Sequence, residues 1–215
     1  MPNRKPILVT LLLDETGSMS ARRDETIASV NAYLADRVQE WKDSGQVYLV
    51  TLAKFSSAIP GMVDTVHKAV PVSSVKALDY GSYHPGGYTP LYDAVGKTIA
   101  DVENVLSESP GGEAVLFIIV TDGEENASRE FSREAVASLV EAKTAKGWEF
   151  VFLGVAMDAW ASASQIGITA AGTQGFRDMG VALRTLSEAT AAYAQSATTG
   201  GSGDFWGQSD VDEDK

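Results

Sequence analysis

Cysteine is absent, which excludes a disulfide framework and any thiolate metal site and fits a reducing compartment. Histidine is nearly as scarce. Only His67 and His84 occur, so a nitrogen-ligated site is not expected and any metal must be held mainly by oxygen. Positive charge is also in short supply: 17 Lys and Arg face 29 Asp and Glu, a formal net charge of -12. That field repels phosphate polyanions, so nucleic acid is not an expected partner.

Long apolar runs are missing too, and no segment approaches the ~20 residues needed to span a bilayer. The N-terminal run after Arg4 and Lys5 is short for a secretory signal, ends in Asp14 and is followed by no small-residue cleavage site, so it reads as a strand. These absences point to a cytoplasmic protein that does not use a membrane. In that setting the glycosylation-like triplet at Asn126 carries no weight.

What remains is a chain of 215 residues with 44% hydrophobic content, enough to bury one core. Four apolar runs stand out: ILVTLLL from Ile7, VYLVTLA from Val47, VLFIIV from Val115 and FVFLGV from Phe150. None alternates strictly, as expected of parallel strands covered on both faces. Helical stripes lie between them. One comprises Ile27, Val30, Leu34, Val38 and Trp41, with Arg23, Asp24, Asp36, Arg37 and Gln39 on the polar face. A second comprises Leu91, Val95, Ile99, Val102 and Leu106. A third comprises Phe131, Ala135, Leu139 and Ala142, stopping at Gly147, and a last helix spans about 178–197.

The more polar GMVDTVHKAV segment closely follows the second run and suits an antiparallel edge strand. The pattern predicts an α/β fold: a doubly wound, mostly parallel sheet with one antiparallel edge strand and helices on both faces. The folded domain is expected over residues 1–197. A flexible Gly/Ser-rich and acidic tail is expected over 198–215, where Phe205 and Trp206 either touch the domain or form a docking peptide for a partner.

In such sheets ligands gather beyond the carboxyl ends of the strands. Three segments at that end carry oxygen donors. DETGS supplies Asp14, Thr16 and Ser18, GGYTPLYDA supplies Thr89, and VTDGEE supplies Asp122. Each has an ordinary structural explanation: Ser18 or Ser20 as a helix cap, Thr89 with Pro90 as a cap and first turn, Asp122 with Gly123 as a turn. Their common placement after strands points instead to one hard-cation site. Two carboxylates are few for calcium, so Mg2+ is the expected ion, with Mn2+ or Ca2+ as alternatives.

These segments resemble the metal-ion-dependent adhesion site of von Willebrand factor A domains, whose signature is Asp-x-Ser-x-Ser, a Thr in a second loop and an Asp in a third. All five positions are filled, with Thr16 in place of the first serine, and the similarity spans roughly residues 6–196. The resemblance implies a binding module rather than an enzyme. The hydroxyls of Thr16, Ser18 and Thr89 would coordinate the ion, with Asp14 and Asp122 acting directly or through water. A partner protein would offer an Asp or Glu from a neutral or basic surface. Similar bacterial and phage proteins work with ring-forming AAA+ ATPases of the MoxR type or in tellurite resistance, as adaptors or co-chaperones.

Three other readings compete. A phosphotransferase of the haloacid dehalogenase type would use Asp14 as nucleophile, but Thr16 stands where its general acid belongs, and only Lys143 or Lys146 offers the lysine it needs. A domain of this fold that has lost its metal would not be expected to keep all five donors. A serine hydrolase is disfavoured because no G-x-S-x-G elbow is present.

Overall fold

The computed structural model describes residues 4–108, 113–155, 158–169, 172–199 and Phe205. Six strands, β1 (Ile7–Asp14), β2 (Tyr48–Phe55), β3 (Val63–Pro71), β4 (Ala114–Thr121), β5 (Glu149–Val155) and β6 (Thr173–Phe176), form one sheet in the order β3-β2-β1-β4-β5-β6. All neighbours are parallel except β2 and β3, which pair antiparallel across an irregular register near Leu52. The edge position expected for GMVDTVHKAV is the one observed. Among the described residues five α-helices accompany the sheet: α1 (Arg23–Ser44), α2 (Leu91–Glu108), α3 (Arg133–Thr144), α4 (Asp158–Gln165) and α5 (Met179–Thr199).

Central strand β1 explains why its sequence does not alternate. Ile7, Val9, Leu11 and Leu13 join the core cluster on the side of α1 and α5, while Leu8 and Leu12 join the cluster on the side of α2 and α3. With both faces covered, apolar side chains are favoured at successive positions. The α2 stripe packs as expected, with Leu91, Val95, Ile99 and Val102 buried.

Two helix faces differ from their sequence stripes. In α3 the buried residues are Val136, Val140 and Lys143, whereas Ala135 and Ala142 are exposed. The helix starts later than the stripe assumed: the Ser132 side chain caps it by accepting from the Ala135 backbone N–H. Phe131 lies before it, against Gly96 of α2, where an added methyl would come within 2.6 Å of the ring. In α1, Arg37 belongs to the interior. It is buried between the rings of Tyr33 and Tyr48 and donates to the carbonyl and the hydroxyl of Ser187 on α5. A second helix covering that flank turns a polar position into a core one. Trp41, placed on the apolar stripe, is 41% exposed.

Strand β6 and helix α4 are additions to the sequence reading. TQGF has neither the length nor the apolar content to announce a strand, and it is completed by pairing with Phe152–Val155. The last helix continues through Thr199, past the expected boundary at 197. No helix among the described residues is long and apolar enough to cross a membrane.

Candidate metal centre

Parallel pairing brings the three donor segments to one edge of the sheet. Leu13 is level with Val120, so Asp14 and Thr121, the last residues of β1 and β4, stand side by side at the end of the sheet. The Thr121 hydroxyl donates to Asp14 Oδ2 at 2.5 Å, and the Thr16 backbone N–H donates to Asp14 Oδ1 at 2.7 Å. The carboxylate is thereby fixed at both oxygens.

Beyond Asp14 the chain bends into a short 3-10 turn over Gly17–Arg22. Thr16 Oγ1 then lies 3.1 Å from Ser18 Oγ, and Ser18 donates to Asp122 Oδ1 at 2.6 Å. Thr89 enters from the loop before α2. A methyl built on Gly123 would stand 3.1 Å from Thr89 Oγ1, 3.5 Å from Ser18 Oγ and 3.8 Å from Asp14 Oδ2. Donors from three segments therefore surround one small cradle that any side chain at position 123 would enter. The five residues singled out from the sequence, Asp14, Thr16, Ser18, Thr89 and Asp122, are brought together here.

The loops around the cradle are held by one another. Gly17 N–H donates to the Gly87 carbonyl at 3.0 Å and Gly86 N–H to the Glu15 carbonyl at 2.9 Å. Gly87 has a φ of 76°, and a side chain there would come within 2.7 Å of Ser56 Oγ, so both conformation and space require glycine. On the other side, Asn126 accepts from the Thr89 N–H and donates its own N–H to the Thr89 carbonyl. Glu125 is more than the surface residue its exposed neighbour Glu124 suggests. It accepts from Tyr92 N–H in the first turn of α2 and from Ala127 and Ser128 of its own loop.

Asp93, fully buried on α2, accepts three backbone N–H bonds from Arg129, Glu130 and Phe131 at 2.8–2.9 Å. Thr121, Asp93 and Asn126 are the supporting residues the sequence reading missed. Only Thr121, beside Asp122 in VTDG, carried a signal.

The donor set suits a hard divalent cation: two carboxylates and three hydroxyls, all oxygen. Among the described residues no group of three or more His, Cys, Asp or Glu could hold a metal, so a site must draw on these hydroxyls. Electrostatics agree. Burial pushes the Asp14 carboxyl up to about 6, against opposing hydrogen bonds from Thr121 and Thr16 and with a further push from Asp122. A nearby cation relieves that penalty.

The sign follows. In the metal-free protein the neutral form of Asp14 favours the fold, a contribution fully present below the usual carboxylate value of 3.8 and lost as pH rises through about 6. Metal needs the ionised form. Calorimetry is therefore expected to give magnesium affinity about tenfold weaker at pH 5 than at pH 7.5, and the Tm increment from magnesium should shrink in parallel. Equal affinity at both pH values would count against Asp14 as a ligand.

Other residues fall outside the cradle. Lys143 pairs with Glu103 and lies 5.8 Å from the Trp148 ring, and Lys146 sits in the turn leading to β5. Both are at the edge where the parallel strands begin, opposite Asp14, so neither supplies the lysine of a phosphotransferase. The docking role expected of Phe205 meets a ring already covered. Phe205 is 4% exposed, its ring 5.8 Å from that of Tyr193 in the α1–α5 core. Trp206 lies outside the described residues.

No protein-family model and no curated protein sequence matches the chain. Solved structures do. The pilus adhesin SpaC from Lactobacillus rhamnosus GG, in its open conformation, superposes with a TM-score of 0.62 at 14% identity, over 92% of this chain and 30% of its own. Proximal thread matrix protein 1 from the mussel byssus, with a zinc-occupied MIDAS motif, gives 0.58 at 14%, over 91% and 46%. The manganese-loaded TRAP protein of Plasmodium vivax gives 0.56 at 13%, over 84% and 71%. This chain thus spans less than half the length of the first two.

Proposed function

We propose that this chain, whose fold is that of von Willebrand factor A domains, is a metal-dependent protein-interaction module that takes an Asp or Glu of a partner protein. The observation carrying this reading is the convergence of Asp14, Ser18 and Thr89 oxygens on one cradle beside Gly123. Asp14, Thr16, Ser18, Thr89 and Asp122 would hold the ion, which supplies an electrophilic centre for the incoming carboxylate. Neutral hydroxyls make up most of the donor set, so little of the ion's charge is cancelled by the protein. Magnesium fits two carboxylates better than calcium does.

Asp14 and Thr16 are buried while Ser18 is exposed, so the cradle opens to solvent on the side of Ser18. Arg22 stands at that rim, its Nε 4.0 Å from Asp122 Oδ2, and supplies positive charge to an otherwise acidic molecule. With a net charge of -12 on this chain, the partner presents its acid from a neutral or basic surface. A ring-forming AAA+ ATPase is the partner class we favour, with this chain as its adaptor.

Gly123→Ala tests the cradle without removing a donor. Calorimetry is expected to show magnesium binding to the wild type and a loss of about tenfold or more in the variant, because the methyl crowds three donors. A variant that binds magnesium as well as wild type would move the site elsewhere.

A further inference from the structure

Next to the cradle, sharing its loops, is a cleft of about 550 Å³ whose lining includes Glu15, Lys54, Ser56, Asp64 and His84. Glu15 lies between Asp14 and Thr16 in the chain, and its carboxylate accepts from the His84 N–H. Ser56 donates to the Gly86 carbonyl, in the loop that runs on to Thr89. The cleft and the cradle are therefore adjacent depressions, each walled by the 14–18 and 84–89 segments.

The charges in the cleft do not balance. Two carboxylates, Glu15 and Asp64, share one ammonium, Lys54. Lys54 is enclosed, its side chain 8% exposed, and it already serves Glu15, Asp64 and the Ser82 carbonyl. It has no spare donor for an anion. Asp64 is different, with its side chain 51% exposed. Ile59, Pro60 and Val63 add an apolar wall. An apolar wall beside an accessible carboxylate and one uncompensated negative charge matches a side chain with an aliphatic stem and a cationic head.

We infer that this cleft is a second subsite, receiving a Lys or Arg side chain of the same partner segment whose acid reaches the cradle. The inference rests on the proposed function of the cradle, and adds that the partner carries an acid and a base close together in sequence. It also reconciles an acidic module with an acidic ligand: the partner's base offsets the repulsion its acid meets from the rest of the surface.

The test is fluorescence anisotropy in magnesium with labelled peptides containing one Asp in a Gly/Ser background. A second position, at several spacings from the Asp, is Ser, Lys or Glu. The Lys peptide is expected to bind about tenfold tighter than the Ser peptide at its best spacing, with the Glu peptide weakest. Asp64→Asn, a near-isosteric change at a half-exposed site, should erase the Lys advantage.

Equal binding of Lys and Ser peptides at every spacing, or a Lys advantage that survives Asp64→Asn, overturns the subsite. If the Ser peptide itself binds no better in magnesium than in chelator, the reading of the cradle fails, and the subsite as a companion to it falls too. A Ser peptide that responds to chelator with no Lys advantage overturns the subsite alone.

Discussion

Replacing Asp14 with Asn should abolish magnesium binding, a loss of about 100-fold or more, while leaving the metal-free protein at least as stable as wild type at pH 7.5. The two halves of this result come from the same burial. Asp14 is fully enclosed, and its pKa of about 6 means that keeping it ionised at pH 7.5 costs about 3 kcal/mol in the absence of a cation. Asn removes that charge and can still accept from the Thr16 N–H, while its amide can donate to the Thr121 hydroxyl, which then donates to the Gly123 carbonyl. Thermal unfolding with and without magnesium, alongside calorimetry, reads both quantities. A metal-free variant that unfolds well below wild type would mean that Asp14 is a structural group first, and retained magnesium heat would remove it from the site.

The second large effect is expected at a residue outside the five that meet at the cradle. Asp93→Ala should destabilise the domain by about 3 to 5 kcal/mol, because three part-buried backbone N–H groups lose one fully buried charged acceptor together. Asp93→Asn should cost less, since one amide oxygen can still serve Glu130 and Phe131 while Arg129 goes unpaired. The segment released runs back to Asn126, which clasps Thr89, so magnesium affinity should fall even though no ligand has changed. Urea denaturation of the two variants and magnesium calorimetry at a temperature where both are folded would establish the order. If Asp93→Ala unfolds within about 1 kcal/mol of wild type, Glu125 and Asn126 hold the loop without it.

The supporting residues show why some functional positions were legible and others were not. Asp14, Thr16 and Ser18 advertise themselves because a buried apolar run ending in a carboxylate and spaced hydroxyls has no packing reason to exist. Asp93 gives no such sign: in LYDAVGK it reads as a polar residue in the first turn of an amphipathic helix. Its value comes entirely from the 129–131 loop folding over it. Arg37 misleads for the same reason, since its helix alone places it with Asp36 and Gln39, and only the arrival of α5 encloses it. Thr121 stood beside Asp122 in the sequence, but its partner became visible once the register set it next to Asp14.

The sequence by itself determined the apolar strands, the main helices, the antiparallel edge strand and the five oxygen-bearing side chains that meet at the cradle, because these follow from periodicity and from chemistry that is local to short segments. The tertiary structure decided the strand order, the pairing that completes β6, the face of α3 that is buried, and the loop clasps around the cradle. It also covered Phe205, whose ring the tail's composition left open to a partner. All of these depend on contacts between residues distant in the chain, which no single segment encodes. The raised pKa of Asp14 belongs with them: the carboxylate is in the sequence, but the desolvation that tunes it exists only once β1, β2 and β4 have closed around it.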